Sequence, residues 1–260
     1  MNLKTEIKSI LKSHQLDIGY ANKLIAKNIS VEINTGELVA VIGVNGSGKS
    51  TLLKTLTGDL SPLQGQVYLQ QKNITEINTT QLSHFISVVL TDTQFSQNLS
   101  VEELVALGRQ PYTNWLGQLS KNDKVEIDKA LQLLEIEEKS LSKCSDLSDG
   151  QLQKVLLARA IAQDTPLIFL DEPTTHLDLY HKIFVFQLLK KLTRKTAKTI
   201  VFATHEINLA LQLCDQIILV NNGEVIQKTP EELIKGAYLT KLFPKEVVEF
   251  DAASKSFRVL

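Results

Sequence analysis

Gly43-Val-Asn-Gly-Ser-Gly-Lys-Ser50 is the stretch from which the rest of the chain is read. It fits the Gly-x-x-x-x-Gly-Lys-Ser pattern of a phosphate-binding loop, and its neighbours provide the context that this motif needs. Upstream, Leu38–Ile42 is an unbroken apolar run of strand length, and downstream Ser50–Leu56 reads as a helix. Glycines there reach backbone angles closed to side chains, so successive N–H groups converge on phosphate oxygens while the helix start adds positive potential. Lys49 has the reach for β and γ oxygens, and Ser50 carries a hydroxyl suited to Mg²⁺. Gly43, Asn45, Gly46, Ser47, Gly48, Lys49, Ser50 and Thr51 are therefore the candidate nucleotide-binding residues of the loop.

Working outward, Ile29, Val31 and Ile33 alternate with polar residues as a half-buried antiparallel strand does. Beyond the loop, Gln66–Gln70 and Ile86–Leu90 read as strands, and then the strand signal stops. From about 91 to 163 the pattern is helical, with candidates at Val101–Leu107, Asp123–Ile136 and Gln151–Gln163 and with Pro111 and Gly117 as punctuation. Buried strands return at Leu167–Leu170, Thr199–Thr204 and Gln216–Val220, alternating with helices at His181–Lys191 and Glu206–Leu213, the βαβ pattern of a parallel sheet. Asn221-Asn222-Gly223 turns a hairpin. Two short helices and an amphipathic stretch are expected after Pro230. The fold class is thus α/β: a phosphate-loop NTPase core with a mainly parallel sheet, an antiparallel N-terminal β part and an inserted helical subdomain. One domain of 260 residues is expected, with the core at 1–90 and 164–235, the subdomain at 91–163 and a C-terminal extension at 236–260.

Composition narrows the classes of function. The chain is 43% hydrophobic, enough for a substantial core, and only Cys144 and Cys214 are present, in no metal-binding spacing. Two reduced thiols in a cytosolic protein are the expectation. No stretch approaches the ~18 apolar residues of a membrane span, and the N-terminus has no secretory pattern. With a formal net charge of −1 and no run of four Lys/Arg, nothing supplies a basic footprint for nucleic acid or lipid.

Two further segments carry chemistry. Leu167-Ile-Phe-Leu-Asp171-Glu172 is an apolar strand that delivers two carboxylates to the C-terminal edge of the sheet, where ligands bind. Leu147-Ser-Asp-Gly-Gln151 opens a helix shortly before it, with Ser148 placed to cap that helix and create an anion site at its start. Phosphate loop, Leu-Ser-x-Gly-Gln and Asp-Glu in this order resemble one superfamily, the ATP-binding cassette (ABC) ATPases, over nearly the whole chain.

The resemblance implies ATP and Mg²⁺ as cofactors and assigns further roles. Asp171 would hold the Mg²⁺ water shell, joining Ser50 as a metal residue, and Glu172 would be the general base for the attacking water. Ser148, Gly150 and Gln151 would meet the γ-phosphate held by a second copy, so that two cassettes sandwich two ATP molecules. Asp149 departs from the common glycine and adds like charge near that phosphate. Pro173-Thr-Thr-His-Leu-Asp178 resembles the family's D-loop, where Asp178 communicates between sites, and His205 matches its switch histidine. The other histidines, His14, His84, His176 and His181, are read as ordinary core or surface residues. Tyr20 resembles the adenine-stacking aromatic, beside its plainer reading as a half-buried strand tyrosine. The family glutamine after the Ile86–Leu90 strand is missing or displaced: Thr91 stands at its position, and either Gln94, three residues on, is the metal ligand in its place or a water bridges from Thr91, with Gln94 the favoured candidate.

Ser100-Val-Glu-Glu-Leu-Val-Ala-Leu-Gly-Arg-Gln-Pro-Tyr112 resembles importers of ferric siderophores, haem and cobalamin. What this implies is an importer ATPase that works as a homodimer on the cytoplasmic face of the membrane, bound to permease subunits and indirectly served by a substrate-binding protein. An exporter ATPase and a non-transport ABC ATPase are the alternatives. The second is disfavoured by a single cassette with no heptad run, and a catalytically dead module is disfavoured by Lys49, Asp171, Glu172 and His205 together.

Overall fold

The computed structural model describes residues 8–21, 23–90, 95–175, 177–243 and 248–259. They form two compact units, Met1–Ile77 with Phe186–Leu260, and Asn78–Val185.

The first unit begins with three antiparallel strands, β1 (Ser9–Tyr20), β2 (Lys23–Ile29) and β3 (Glu32–Asn34). After β4 (Leu38–Ile42) and helix α1 (Lys49–Leu56), β5 (Gln64–Leu69) and the short β6 (Lys72–Asn73) rejoin them. β1 is the hub, pairing with β2, β3 and β5. The expected single strand through Ile29, Val31 and Ile33 is in fact the end of β2 and the middle of β3, and β1 was not anticipated. Its apolar alternation is interrupted where Gln15 adopts φ 45° and the pairing with β5 slips between His14 and Asp17. A bulge of this kind adds a residue to one strand and shifts the period-2 signal out of phase.

Within the second unit, α2 (Thr79–Leu82) precedes β7 (Ile86–Val89), and α3 (Val101–Ala106), α4 (Lys121–Leu133) and α5 (Asp149–Ala162) pack together. β8 (Leu167–Asp171) then pairs in parallel with β7, Ile86 opposite Leu167. α6 (Leu179–Thr196) starts in this unit and ends in the first, five residues beyond the expected end at Lys191, with Leu188, Leu189 and Leu192 buried.

The remainder returns to the first unit as β9 (Thr199–Ala203), α7 (Ile207–Leu213), β10 (Gln216–Asn221), β11 (Glu224–Lys228), α8 (Pro230–Lys235), β12 (Val248–Asp251) and β13 (Ser256–Val259). β9 and β10 flank β4, both parallel to it, and β11 closes one edge as a hairpin. Every residue of β4 and β9 is buried, as strands covered on both faces require. Phe186 meets Phe202 edge-on at 5.1 Å beneath them. The Gln227 side chain ties this sheet to the antiparallel one, accepting from Glu32 N–H at 2.8 Å and donating to its carbonyl at 2.6 Å. The C-terminal stretch differs from expectation: one helix and a 3₁₀ turn (Leu239–Lys241) are followed by the β12–β13 hairpin. Its strands are each four residues long and half exposed, too short for a clear periodic signal.

Candidate nucleotide-binding and hydrolysis site

β4 delivers the loop to a sheet edge. The loop begins at Gly43, where a Cβ would lie 2.2 Å from the Val220 carbonyl oxygen, so no side chain fits. It ends at Gly48, which caps α1 with φ 107° and no side-chain hydrogen bond. Gly48 has no side chain with which to cap the first turn of α1, so the start of this helix is suited to an anion. Lys49 is only 5% exposed and donates to the Gly43 and Val44 carbonyls at 3.1 and 3.2 Å, so the loop wraps its own cation. The Ser47 hydroxyl is buried with no hydrogen-bond partner. Leaving such a group unpaired costs about 1–3 kcal/mol, which suits a cradle that awaits phosphate oxygens. Asn45 and Gly46 complete the turn, with Gly46 at φ 75°.

His205 reaches the same edge. β4 and β9 run side by side with Val41 opposite Ala203, so Gly43 and His205 each lie two residues beyond that pair. Thr204, between Ala203 and His205, is buried; its N–H donates to the Val41 carbonyl at 3.1 Å and its hydroxyl accepts from Glu206 N–H at 3.0 Å. The His205 side chain is exposed at this edge. Tyr20 ends β1, half exposed, opposite Lys23. On the partner strand β2, Ile25 stands so close to Gly48 that a Cβ there would meet its Cγ2 at 2.4 Å.

In the second unit, β8 carries Asp171 to its end, 6% exposed, with Oδ1 buried and unpartnered. A buried carboxyl oxygen without a partner is suited to a cation or its water shell. Glu172 follows at φ 52°, in the left-handed region. A non-glycine residue there costs on the order of 1–3 kcal/mol, and such strain concentrates at functional positions. Its carboxylate accepts from the Thr175 hydroxyl at 3.1 Å.

The start of α5 bears out the capping expectation. Ser148 Oγ accepts from Gln151 N–H at 3.3 Å, and Gln151 Oε1 accepts from Ser148 N–H at 3.1 Å, a reciprocal capping box. Asp149 is exposed in the first turn. Ser148, Gly150, Gln151 and Asp178 line one open cavity of about 770 Å³. Asp178 Oδ1 accepts from the His181 backbone N–H and meets its Nδ1, both at 2.8 Å. Those bonds hold the Asp178 carboxyl below the usual carboxylate range. His181, read from sequence as an ordinary surface residue, is thus the partner of a candidate site residue. Thr91 and Gln94 lie outside the described residues, as does His176.

One buried cluster escaped the sequence reading. Arg109 and Asp123, both about 3% exposed in their side chains, pair at 2.8 Å, and Arg109 also donates to the Ala162 carbonyl at 2.7 Å. Part of the importer-like segment therefore holds α5 from its C-terminal end. The signal that could have found it is Ser120-x-x-Asp123, a capping box that places Asp123 at the start of α4.

The family model described as "ABC transporter" matches residues 26–175, more than half the chain. The chain belongs to the ABC transporter ATP-binding family. A second model, described as "AAA domain, putative AbiEii toxin, Type IV TA system", matches 143–211 of the same cassette. An uncharacterized ABC transporter ATP-binding protein of Methanocaldococcus jannaschii is 39% identical over 90% of this chain and 81% of its own length. The probable siderophore transport system ATP-binding protein of Bacillus subtilis is 34% identical over 87% of this chain and 82% of its own. Among solved structures, a putative metal-chelate type ABC transporter in an inward-facing conformation superposes with a TM-score of 0.80, at 29% identity over 96% of each chain. This ABC cassette is accordingly an ATP hydrolase of the importer-ATPase branch first seen in Ser100–Tyr112. Among the described residues no helix is long and apolar enough to cross a membrane.

Proposed function

We propose that this cassette powers uptake of a ferric siderophore, haem or cobalamin through a membrane permease, working as a homodimer at the cytoplasmic face. The observation that carries the hydrolytic part is the pairing of β4 with β9, which sets the Gly43–Ser50 loop beside His205. On this reading the loop N–H groups, Lys49 and Ser47 bind the β- and γ-phosphates, and Tyr20 stacks on the base. Mg²⁺, when bound through Ser50, Asp171 and Gln94, supplies charge neutralisation at the β and γ oxygens. Glu172 accepts a proton from the attacking water, whose oxygen bonds to γ-phosphorus as the bond to the β,γ-bridging oxygen breaks, and His205 orients that γ-phosphate. Ser148, Gly150 and Gln151 present the dipole of α5 to the γ-phosphate of a second copy, and Asp178 links the two sites. We assign 91–163 to the helical subdomain and 236–260 to a C-terminal extension.

Permease docking is supported by apolar side chains that the second unit leaves exposed around its importer-like segment. Trp115 is 91% exposed and Leu116 58%, with Leu107 and Tyr112 close by in sequence. Exposed large apolar groups gathered in one segment mark interaction sites. The test is reconstitution with a ferric-siderophore permease and binding protein in proteoliposomes. Mg²⁺-dependent ATPase that rises with permease, together with uptake of labelled ferric siderophore, is expected. Efflux in place of uptake would move the cassette to the exporters.

A further inference from the structure

The end of the chain folds back on the turn that carries His205. Phe257 of β13 meets Phe243 and Phe250 edge-on, each with ring centroids 5.0 Å apart. From this anchored position the Phe257 N–H donates to Asn208 Oδ1 at 3.2 Å, across 49 residues of sequence. Asn208 is the second residue of α7, three beyond His205. His205, Glu206 and Asn208 line one side of a cavity of about 300 Å³, and Phe243, Phe257 and Arg258 line the other. Arg258 is itself held by Asp251 within the hairpin.

α7 needs outside support. It has seven residues, and its N-cap residue, Glu206, makes no side-chain capping bond. Helices so short do not hold themselves in water. Thr204 braces the turn from the strand side. On the helix side Ile207, Ala210 and Leu211 are buried, and Asn208 ties the first turn to the aromatic cluster behind it. We propose that the β12–β13 hairpin is a positioning brace for His205, acting through the Phe257–Asn208 hydrogen bond, so that the C-terminal extension sets the rate of hydrolysis without touching nucleotide. This rests on the reading of His205 as the γ-phosphate contact. A group misplaced by about 1 Å can lose up to ~10²-fold in rate, so a modest loosening of α7 should be measurable.

The experiment uses the full chain and follows kcat, ATP affinity by fluorescent-nucleotide displacement, and melting. Asn208→Ala removes the acceptor and should lower kcat about tenfold while ATP affinity stays within twofold. Asn208→Asp keeps an acceptor oxygen and should restore most of the rate. In a His205→Ala background, Asn208→Ala should add no further loss. If Asn208→Ala melts early, Phe257→Leu, which loosens the cluster but keeps the N–H, replaces it with the same expectation. A normal kcat in Asn208→Ala beside an impaired His205→Ala would overturn the brace alone, as would a loss that is additive with His205→Ala, a loss of ATP affinity, or no rescue by Asp. A normal rate in His205→Ala would remove the role of His205 and the brace with it.

Discussion

At the scale of single residues, three side chains separate binding from chemistry. Glu172→Gln keeps the shape of the side chain but cannot take the proton of the attacking water. Its kcat should fall by at least ~10²-fold while ATP binding persists, and the protein should accumulate as an ATP-bound dimer in size-exclusion chromatography. Near-normal turnover would take the general-base role away from Glu172. Lys49→Ala should act on affinity instead, because the β/γ charges lose the cation that the loop holds against Gly43 and Val44. Asp149 is exposed at the positive end of α5, where it stabilises the helix and, on the proposed role of Ser148–Gln151, would repel an opposed phosphate. Asp149→Gly in the Glu172→Gln background should therefore shift ATP-driven dimerisation to lower ATP concentration. An unchanged midpoint would mean that the carboxylate faces solvent throughout.

At the scale of elements, α4 and α5 owe their starts to side chains, and Arg109 links them by its ion pair with Asp123 and its bond to the Ala162 carbonyl. Burial alone would raise the Asp123 carboxyl, but hydrogen bonds from Ser120 and from Arg109 outweigh it and hold the group below the usual carboxylate range. Removing one partner leaves the other charge buried alone, so Arg109→Leu should cost roughly 3–5 kcal/mol in denaturant unfolding. Because the folded value is depressed, the stabilisation is complete above the unfolded value near ~3.9 and is lost as pH falls through the folded one. The gap between wild type and Arg109→Leu should stay constant from about pH 5 to 8 and narrow below about pH 4. A gap that widens in acid would contradict the assignment. Ser148→Ala should cost about 1 kcal/mol by removing the Oγ half of its capping box.

At the scale of the whole molecule, attachment to a membrane is expected to come from protein alone. Net charge is −1 and no described helix can span a bilayer, so flotation with protein-free liposomes should leave the chain at the bottom of the gradient. Salt-resistant flotation would show a lipid affinity of its own. Trp115→Ser should leave basal ATPase unchanged and reduce the stimulation by permease, because an indole 91% exposed contributes little to packing within its own unit. Loss of basal activity in that variant would instead make Trp115 structural.

What the sequence determined by itself are the features whose causes are local. Leu38–Ile42 is recovered residue for residue, because a wholly apolar run bounded by a glycine loop has one way to be buried. The hairpin at Asn222-Gly223 follows from two adjacent left-handed positions, φ 48° and 80°, and the α5 start follows from Ser148 and Gln151 three residues apart. Family likeness supplied the roles proposed for Asp171, Glu172 and His205. Only the tertiary structure decided the rest. β1 is visible only in its pairing with three strands, since the Gln15 bulge erases its alternation. Arg109 and Asp123 are 14 residues apart, Asn208 and Phe257 are 49 apart, and Gly43 meets the level of His205 through the β4–β9 register. No local pattern encodes such pairs, because each exists only once the chain has closed the loop between them.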